Sequence, residues 1–167
     1  MHQGRAGRGS ELIARGRLAV LLYATAGVVY ALDRVTKWLA ETHLAGRPPI
    51  EVIPGVLQLR YTTNPGGAFG LFGGQVWLFV TMSVVVLVVV VLASRDLPGK
   101  ASAIGLGLVI AGALGNLTDR IVRGPGFSGE VVDFLDLHVW PVFNVADTAI
   151  VVGAATLLLL GTRRTES

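Results

Sequence analysis

The sequence predicts a mainly α membrane protein: four transmembrane helices with a small extracytoplasmic β-cradle. Three observations predict it. Hydrophobic residues make up 52% of the 167 residues and charged residues only 15%, against about 25% charged in an ordinary soluble domain. The apolar residues gather in four blocks, each close to the ~20 residues a helix needs to cross hydrocarbon. The ends of the blocks also differ in charge. One side carries eight Lys/Arg and three Asp/Glu, the other six and eight. The positive-inside rule makes the first side cytoplasmic, and four spans return both termini to it.

Residues 1–17 read as a cytoplasmic tail, with the Gly/Arg-rich first ten disordered. Arg5, Arg8, Arg15 and Arg17 precede the first apolar block, Leu18 to Leu32, which continues through Asp33 to Ala40. This start resembles a signal peptide. However, the cleavage-like triplet Ala24-Thr25-Ala26 lies inside the apolar run rather than after it, so the segment reads as a retained helix. The loop from Thr42 to Gly74 is punctuated by Pro48, Pro49, Pro54 and Gly55. Between them, Ile50–Ile53 and Val56–Tyr61 read as strands, the second alternating apolar and polar. The second span is Val76 to Ala93 and the third Ala101 to Leu117, rich in Gly and Ala. Val122 to Val142 reads as a turn-rich connection, with Trp140 as an interface anchor. The fourth span runs Phe143 to Gly161. A single membrane domain thus covers 18–161, and 162–167 form a short cytoplasmic tail.

Composition removes several chemistries. The chain has no cysteine, which excludes disulfides, thiolate metal sites and a thiol nucleophile. The net charge of +3 comes from residues flanking apolar blocks, not from a basic stripe, so no nucleic-acid partner is expected. His2, His43 and His138 are scattered with no metal-binding spacing, and no serine sits in a nucleophile elbow. No metal and no cofactor are expected.

What remains is a set of polar residues at the outer ends of the spans, where a charge near hydrocarbon needs a reason. Asn116, Asp119 and Arg120 share adjoining parts of one helix face; they read as a binding cluster or as a helix end satisfied by its own side chains. Asn144 and Asp147 open the fourth helix, where an N-cap is the plain alternative. Thirteen residues separate Asp133 from Asp147, and Pro141 helps turn the chain back between them. Two facing carboxylates that share a proton can activate water without a metal. By spacing alone, any two of Asp119, Asp133 and Asp147 qualify. Asp33 and Lys37 form an i,i+4 ion pair with Lys37 snorkelling to the interface. Asn64-Pro65-Gly66-Gly67-Ala68-Phe69-Gly70 is a glycine-rich turn, either an ordinary loop or one that lets backbone approach a ligand. A proton-coupled transporter is the main rival to an enzyme. It would favour acids in mid-span and an internal repeat, and neither is present. A lipid-binding scaffold without chemistry is the third reading.

Taken together, Asp33-x-x-Thr36-Lys37, Asn64-x-Gly66-x-Ala68-Phe69, Gly115-Asn116-x-x-Asp119-Arg120, Val131-Val132-Asp133-Phe134 and Phe143-Asn144-x-Ala146-Asp147 resemble the lipoprotein signal peptidase (signal peptidase II) family, from about Leu18 to Gly161. The resemblance implies a multi-pass aspartic endopeptidase of the bacterial cytoplasmic membrane, a monomer with its active site near the outer face. It would act among membrane lipids on diacylglyceryl-modified prolipoproteins, cut before the lipidated cysteine, and be inhibited by globomycin. It also implies that Asp133 and Asp147 are the catalytic pair. Asn64, Asn116, Arg120 and Asn144 would then bind substrate, with Asp33, Lys37, Gly66, Phe69 and Asp119 in support. Two departures are visible: Pro65 follows Asn64, and the stretch between the aspartates is short while that from Asp119 to Asp133 is long.

Overall fold

The structure, a computed structural model, describes residues 3–66, 76–94 and 97–165. Four helices form the bundle: α1 (Gln3–Leu44), α2 (Val76–Ala93), α3 (Lys100–Val122) and α4 (Val145–Thr165). Three have stretches long and apolar enough to cross a membrane: Leu12–Leu44, Lys100–Val122 and Val145–Thr162. The fourth, α2, is an apolar helix of 18 residues. Side chains such as Val20, Val28, Val88, Val151 and Leu158 point outward. In water this would be a large exposed apolar patch; in lipid it is the surface a membrane protein must have.

The N-terminal tail differs from the sequence reading. Helix α1 starts at Gln3 rather than near Leu18. No proline interrupts the first 44 residues, and extending an existing helix avoids the cost of nucleation. At ~1.5 Å per residue its 42 residues span about 63 Å, roughly twice the hydrocarbon thickness. One end must therefore project well beyond the bundle.

Helix α3 is the centre of packing and the most enclosed of the candidate spans. Leu22 and Ala26 of α1, Val90 of α2, and Ala103, Leu106, Val109 and Ile110 of α3 form its core. Lipid tails are as apolar as leucine, so close backbone approach by small residues, rather than the hydrophobic effect, drives such packing. Gly112 shows how close. A Cβ there would meet the Ala146 carbonyl oxygen at 2.3 Å and Ile150 Cγ1 at 2.6 Å. Gly112→Ala is expected to destabilise the fold by about 1–3 kcal/mol through overpacking. Gly27→Ala, in α1 with nothing within 4 Å of its Cβ position, should be neutral or stabilising. Thermal unfolding midpoints in one detergent check the pair.

At one end of the bundle lies a three-stranded antiparallel sheet in the order β1 (Ile50–Ile53), β2 (Leu57–Asn64), β3 (Val131–Asp136). The first strand matches the sequence reading; the second begins one residue later than read, runs three residues past Tyr61 and takes in Asn64, which the sequence places in the glycine-rich turn. The third strand falls inside the stretch read as a turn-rich connection. Turns do fill Gly124 to Gly129, including a 3-10 turn at Pro125–Phe127, but Val131–Asp136 pairs with β2, Thr62 opposite Asp133 and Asn64 opposite Val131. Val132 and Phe134 pack with Ala40 and Leu44 of α1, which pins the sheet to the bundle. Beyond β3, Phe143 exchanges hydrogen bonds with Leu135, at 3.0 and 2.9 Å. That closure brings the start of α4 back beside the middle of β3.

Candidate active site

The start of α4 is built by a reciprocal cap. Asn144 Oδ1 accepts from the Asp147 N–H at 2.9 Å, and Asp147 Oδ2 accepts from the Asn144 N–H at 3.3 Å. This is a capping box, with the acid at its third helical position. The capping alternative is therefore real, but it does not exhaust either side chain. Asn144 Nδ2 also donates to Asp133 Oδ1 at 2.6 Å, and Asp147 Oδ1 receives Asn116 Nδ2 at 2.7 Å. One asparagine thus binds both aspartates at once.

Asp133 is almost fully buried on β3. Its second oxygen, Oδ2, accepts from Asn64 Nδ2 at 3.3 Å. Asn64 is held for this by its own turn, because its Oδ1 accepts from the Gly66 N–H at 2.9 Å. Gly66 has φ +115, which glycine adopts without strain. The glycine in Asn64-x-Gly66 is accounted for by this local turn. Burial, followed by the charge of Asp147, pushes the Asp133 carboxyl up to about 7. The nearby Asp136 goes the other way. Hydrogen bonds from Gln58, the His138 N–H and Arg60 hold it at about 2.

Asp133, Asp147, Asn64, Asn116 and Arg120 all line one cavity of about 380 Å³. Its inner wall is apolar, with Met82 and Val86 from α2, Ala113 from α3 and Ile150 from α4. Trp140, Pro141, Val142 and Phe143 form another side. Arg120 is buried and donates to the Gly129 carbonyl at 3.3 Å. A polar corner opening on an apolar trough between helices suits an amphipathic substrate with one polar reacting group.

Behind this wall is an ion network that the sequence reading only partly describes. Asp33 and Lys37 do pair, at 3.0 Å, but Lys37 does not snorkel: both side chains are fully buried. Lys37 Nζ also reaches Asp119 Oδ2 and Asn116 Oδ1, each at 2.9 Å. A buried ammonium needs paired charge around it, and here two carboxylates and an amide oxygen surround it, although the Asp33 Oδ2 contact is an ion pair without hydrogen-bond geometry. Asp33 Oδ1 accepts from the Ala146 N–H at 3.0 Å, so a side chain of α1 helps cap α4. Gly115 makes room, since a Cβ there would meet Asp33 Oδ2 at 2.5 Å. Asp119 is enclosed by Lys37, Arg34 at 2.6 Å and Arg123 at 3.1 Å; it is not part of the cavity wall. Arg123 in turn grips Glu41 with two bonds of 2.9 Å. Three cations and three carboxylates thus neutralise one another at the membrane edge. Arg34, Glu41 and Arg123 are absent from the sequence reading. The i,i+4 spacing of Asp119 and Arg123 is the one local signal; the remaining pairs join distant segments. Thr36 bonds the Leu32 and Asp33 carbonyls of its own helix. Phe69 lies outside the described residues.

Comparison with known proteins agrees across most of the chain. A family profile described as signal peptidase (SPase) II matches residues 25–162. A lipoprotein signal peptidase of Rhodococcus jostii (strain RHA1) is 46% identical over 142 residues, covering 84% of this chain and 72% of that protein. One from Desulfitobacterium hafniense (strain DSM 10664 / DCB-2) is 42% identical over 144 residues, covering 84% and 92%. A solved structure described as a bacterial membrane enzyme superposes with a TM-score of 0.77 at 29% identity, over 86% of this chain and 88% of that one.

Proposed function

The chain belongs to the signal peptidase II family, and on that premise we propose that it removes the signal peptide from diacylglyceryl-modified prolipoproteins, cutting before the lipidated cysteine, with Asp133 and Asp147 as the catalytic pair. The observation that carries this reading is the shared asparagine: Asn144 binds both carboxylates where they line one cavity with an apolar wall.

The pair divides the work by environment. Asp133, buried and pushed up to about 7, holds the shared proton and donates it to the scissile carbonyl oxygen. Asp147 sits at a helix N-terminus that favours negative charge; it takes a proton from the attacking water. Water oxygen bonds to the carbonyl carbon to give a tetrahedral diol. The C–N bond then breaks as the proton held by Asp147 passes to the leaving amine. Asp133 recovers its proton from the diol as the new carboxyl forms, so both acids end as they began. Asn64, Asn116, Arg120 and Asn144 bind and orient the peptide around this centre. The signal-peptide helix lies along Met82, Val86, Ala113 and Ile150, and the diacylglyceryl chains remain in the bilayer.

The charge asymmetry supports placing this end on the outer face of the cytoplasmic membrane, with both termini inside. Globomycin is expected to compete for the same cavity. The test is direct: purified protein is incubated with a diacylglyceryl-modified prolipoprotein, its unmodified precursor and globomycin. Cleavage before the lipidated cysteine, blocked by globomycin and absent for the unmodified precursor, is the expected result. No cleavage of the lipidated substrate by a folded sample would overturn the reading.

A further inference from the structure

The end of the bundle opposite the candidate active site carries a second cavity, of about 500 Å³, that plays no part in the proposed reaction. It opens where α3 begins and α4 ends. Pro98, Gly99, Lys100 and Ser102 line one side, Leu157 and Leu160 the other. Helix α3 starts here on Gly99 with no side-chain cap. Its first backbone bond runs from the Ala103 N–H to the Gly99 carbonyl at 3.1 Å. The N–H groups of Lys100, Ala101 and Ser102 therefore have no helix carbonyl to bond.

An uncapped helix start means little alone, since water can satisfy it. Ser102 adds an independent observation. It is 6% exposed and faces this cavity, yet its hydroxyl has no hydrogen-bond partner among the described residues. Serine inside a helix commonly bonds back to the carbonyl four residues earlier, as Thr25, Thr36 and Thr118 do in this chain. Ser102 does not, and its donor is left for whatever occupies the cavity.

We infer that this cavity binds the phosphate group of a phospholipid from the leaflet opposite the candidate active site. Unpaired N–H groups and the positive end of the α3 dipole favour an anion. The Ser102 hydroxyl adds a donor and the Lys100 ammonium a charge. Leu157 and Leu160 supply the apolar wall an acyl chain needs, which a free phosphate ion would not use. A transmembrane helix terminus lies at the depth of the head groups, and the anionic leaflet of a bacterial membrane is the one a Lys/Arg-rich end faces.

Native mass spectrometry of the full chain in detergent tests this with three probes: phosphatidylglycerol, diacylglycerol with the same acyl chains, and inorganic phosphate. Relative to the unsubstituted protein, Lys100→Gln/Ser102→Ala is expected to bind phosphatidylglycerol about tenfold more weakly, the effect of one charge-assisted hydrogen bond. Diacylglycerol binding should not change, and millimolar phosphate should displace little lipid. Equal phosphatidylglycerol affinity in the double variant overturns the proposal. Full displacement by millimolar phosphate makes the occupant a free anion and overturns the lipid assignment. Lys100 is exposed, so Lys100→Gln alone keeps the test valid if the double variant unfolds.

Discussion

Asp133→Asn and Asp147→Asn are each expected to lower turnover of the lipidated substrate by about 10³-fold or more, while the protein stays folded. Asparagine preserves the size of either side chain and removes the capacity to cycle a proton, while turning one of two accepting oxygens into a donor. Asp133 is the more informative position because its carboxyl is pushed up to about 7 by burial and by Asp147. If its proton is the one donated, kcat/KM of the unsubstituted enzyme should fall roughly tenfold per pH unit above about 7. The same shift has a stability consequence with a definite sign. The folded state holds a proton that the unfolded chain releases near the ordinary carboxyl value of 3.8. Stability from this group is fully present below that value, is lost as pH rises toward about 7, and is level above it. Asp133→Asn should abolish this slope in the unfolding midpoint. A variant at either aspartate with near-normal turnover, or an alkaline limb unchanged in position when Asp133 is replaced by Glu, would remove the dyad from consideration.

How much of this was legible in the sequence depends on range. Helix α2 was readable to the residue, Val76 to Ala93, because a run of valines needs no partner to declare itself. Strand β1 was readable for a similar local reason. Strand β3 was not. Its residues are buried on both faces, Val132 and Phe134 toward the α1 side and Asp133 toward the cavity, so it lacks the alternation that marks a half-exposed strand. Turn signals at Gly124-Pro125-Gly126 then claimed the whole connection. The aspartates were visible as costly residues at helix ends, but spacing alone left Asp119 as an equal candidate. Only the fold encloses it with Lys37, Arg34 and Arg123. Arg34 and Lys37 lie more than 80 residues away in the chain, beyond what any local rule reaches.

Lys37 is where that long-range information bears most directly on the proposed chemistry. An ammonium can only donate, so its contact with Asn116 at 2.9 Å fixes which end of that amide faces it: the oxygen. The amide nitrogen must then point the other way, and it meets Asp147 Oδ1 at 2.7 Å. Lys37 thereby sets the donor that holds Asp147, without touching the cavity itself. It is a positioning residue on this argument. Lys37→Met would leave Asp33 and Asp119 buried without their shared cation. The expected loss is about 3–5 kcal/mol of stability together with turnover. That variant cannot separate folding from positioning, and Lys37→Arg can. The guanidinium keeps the charge but not the compact point of contact, so Asn116 is displaced. A displacement of this kind is expected to cost about 10²-fold in kcat with KM little changed, in a protein that unfolds near the original midpoint. Arg60→Gln, on the central strand β2 against Asp136, serves as the control that alters an ion pair without reaching Asn116. If Lys37→Arg is stable and turns over as fast as the control, the amide needs no lysine to orient it.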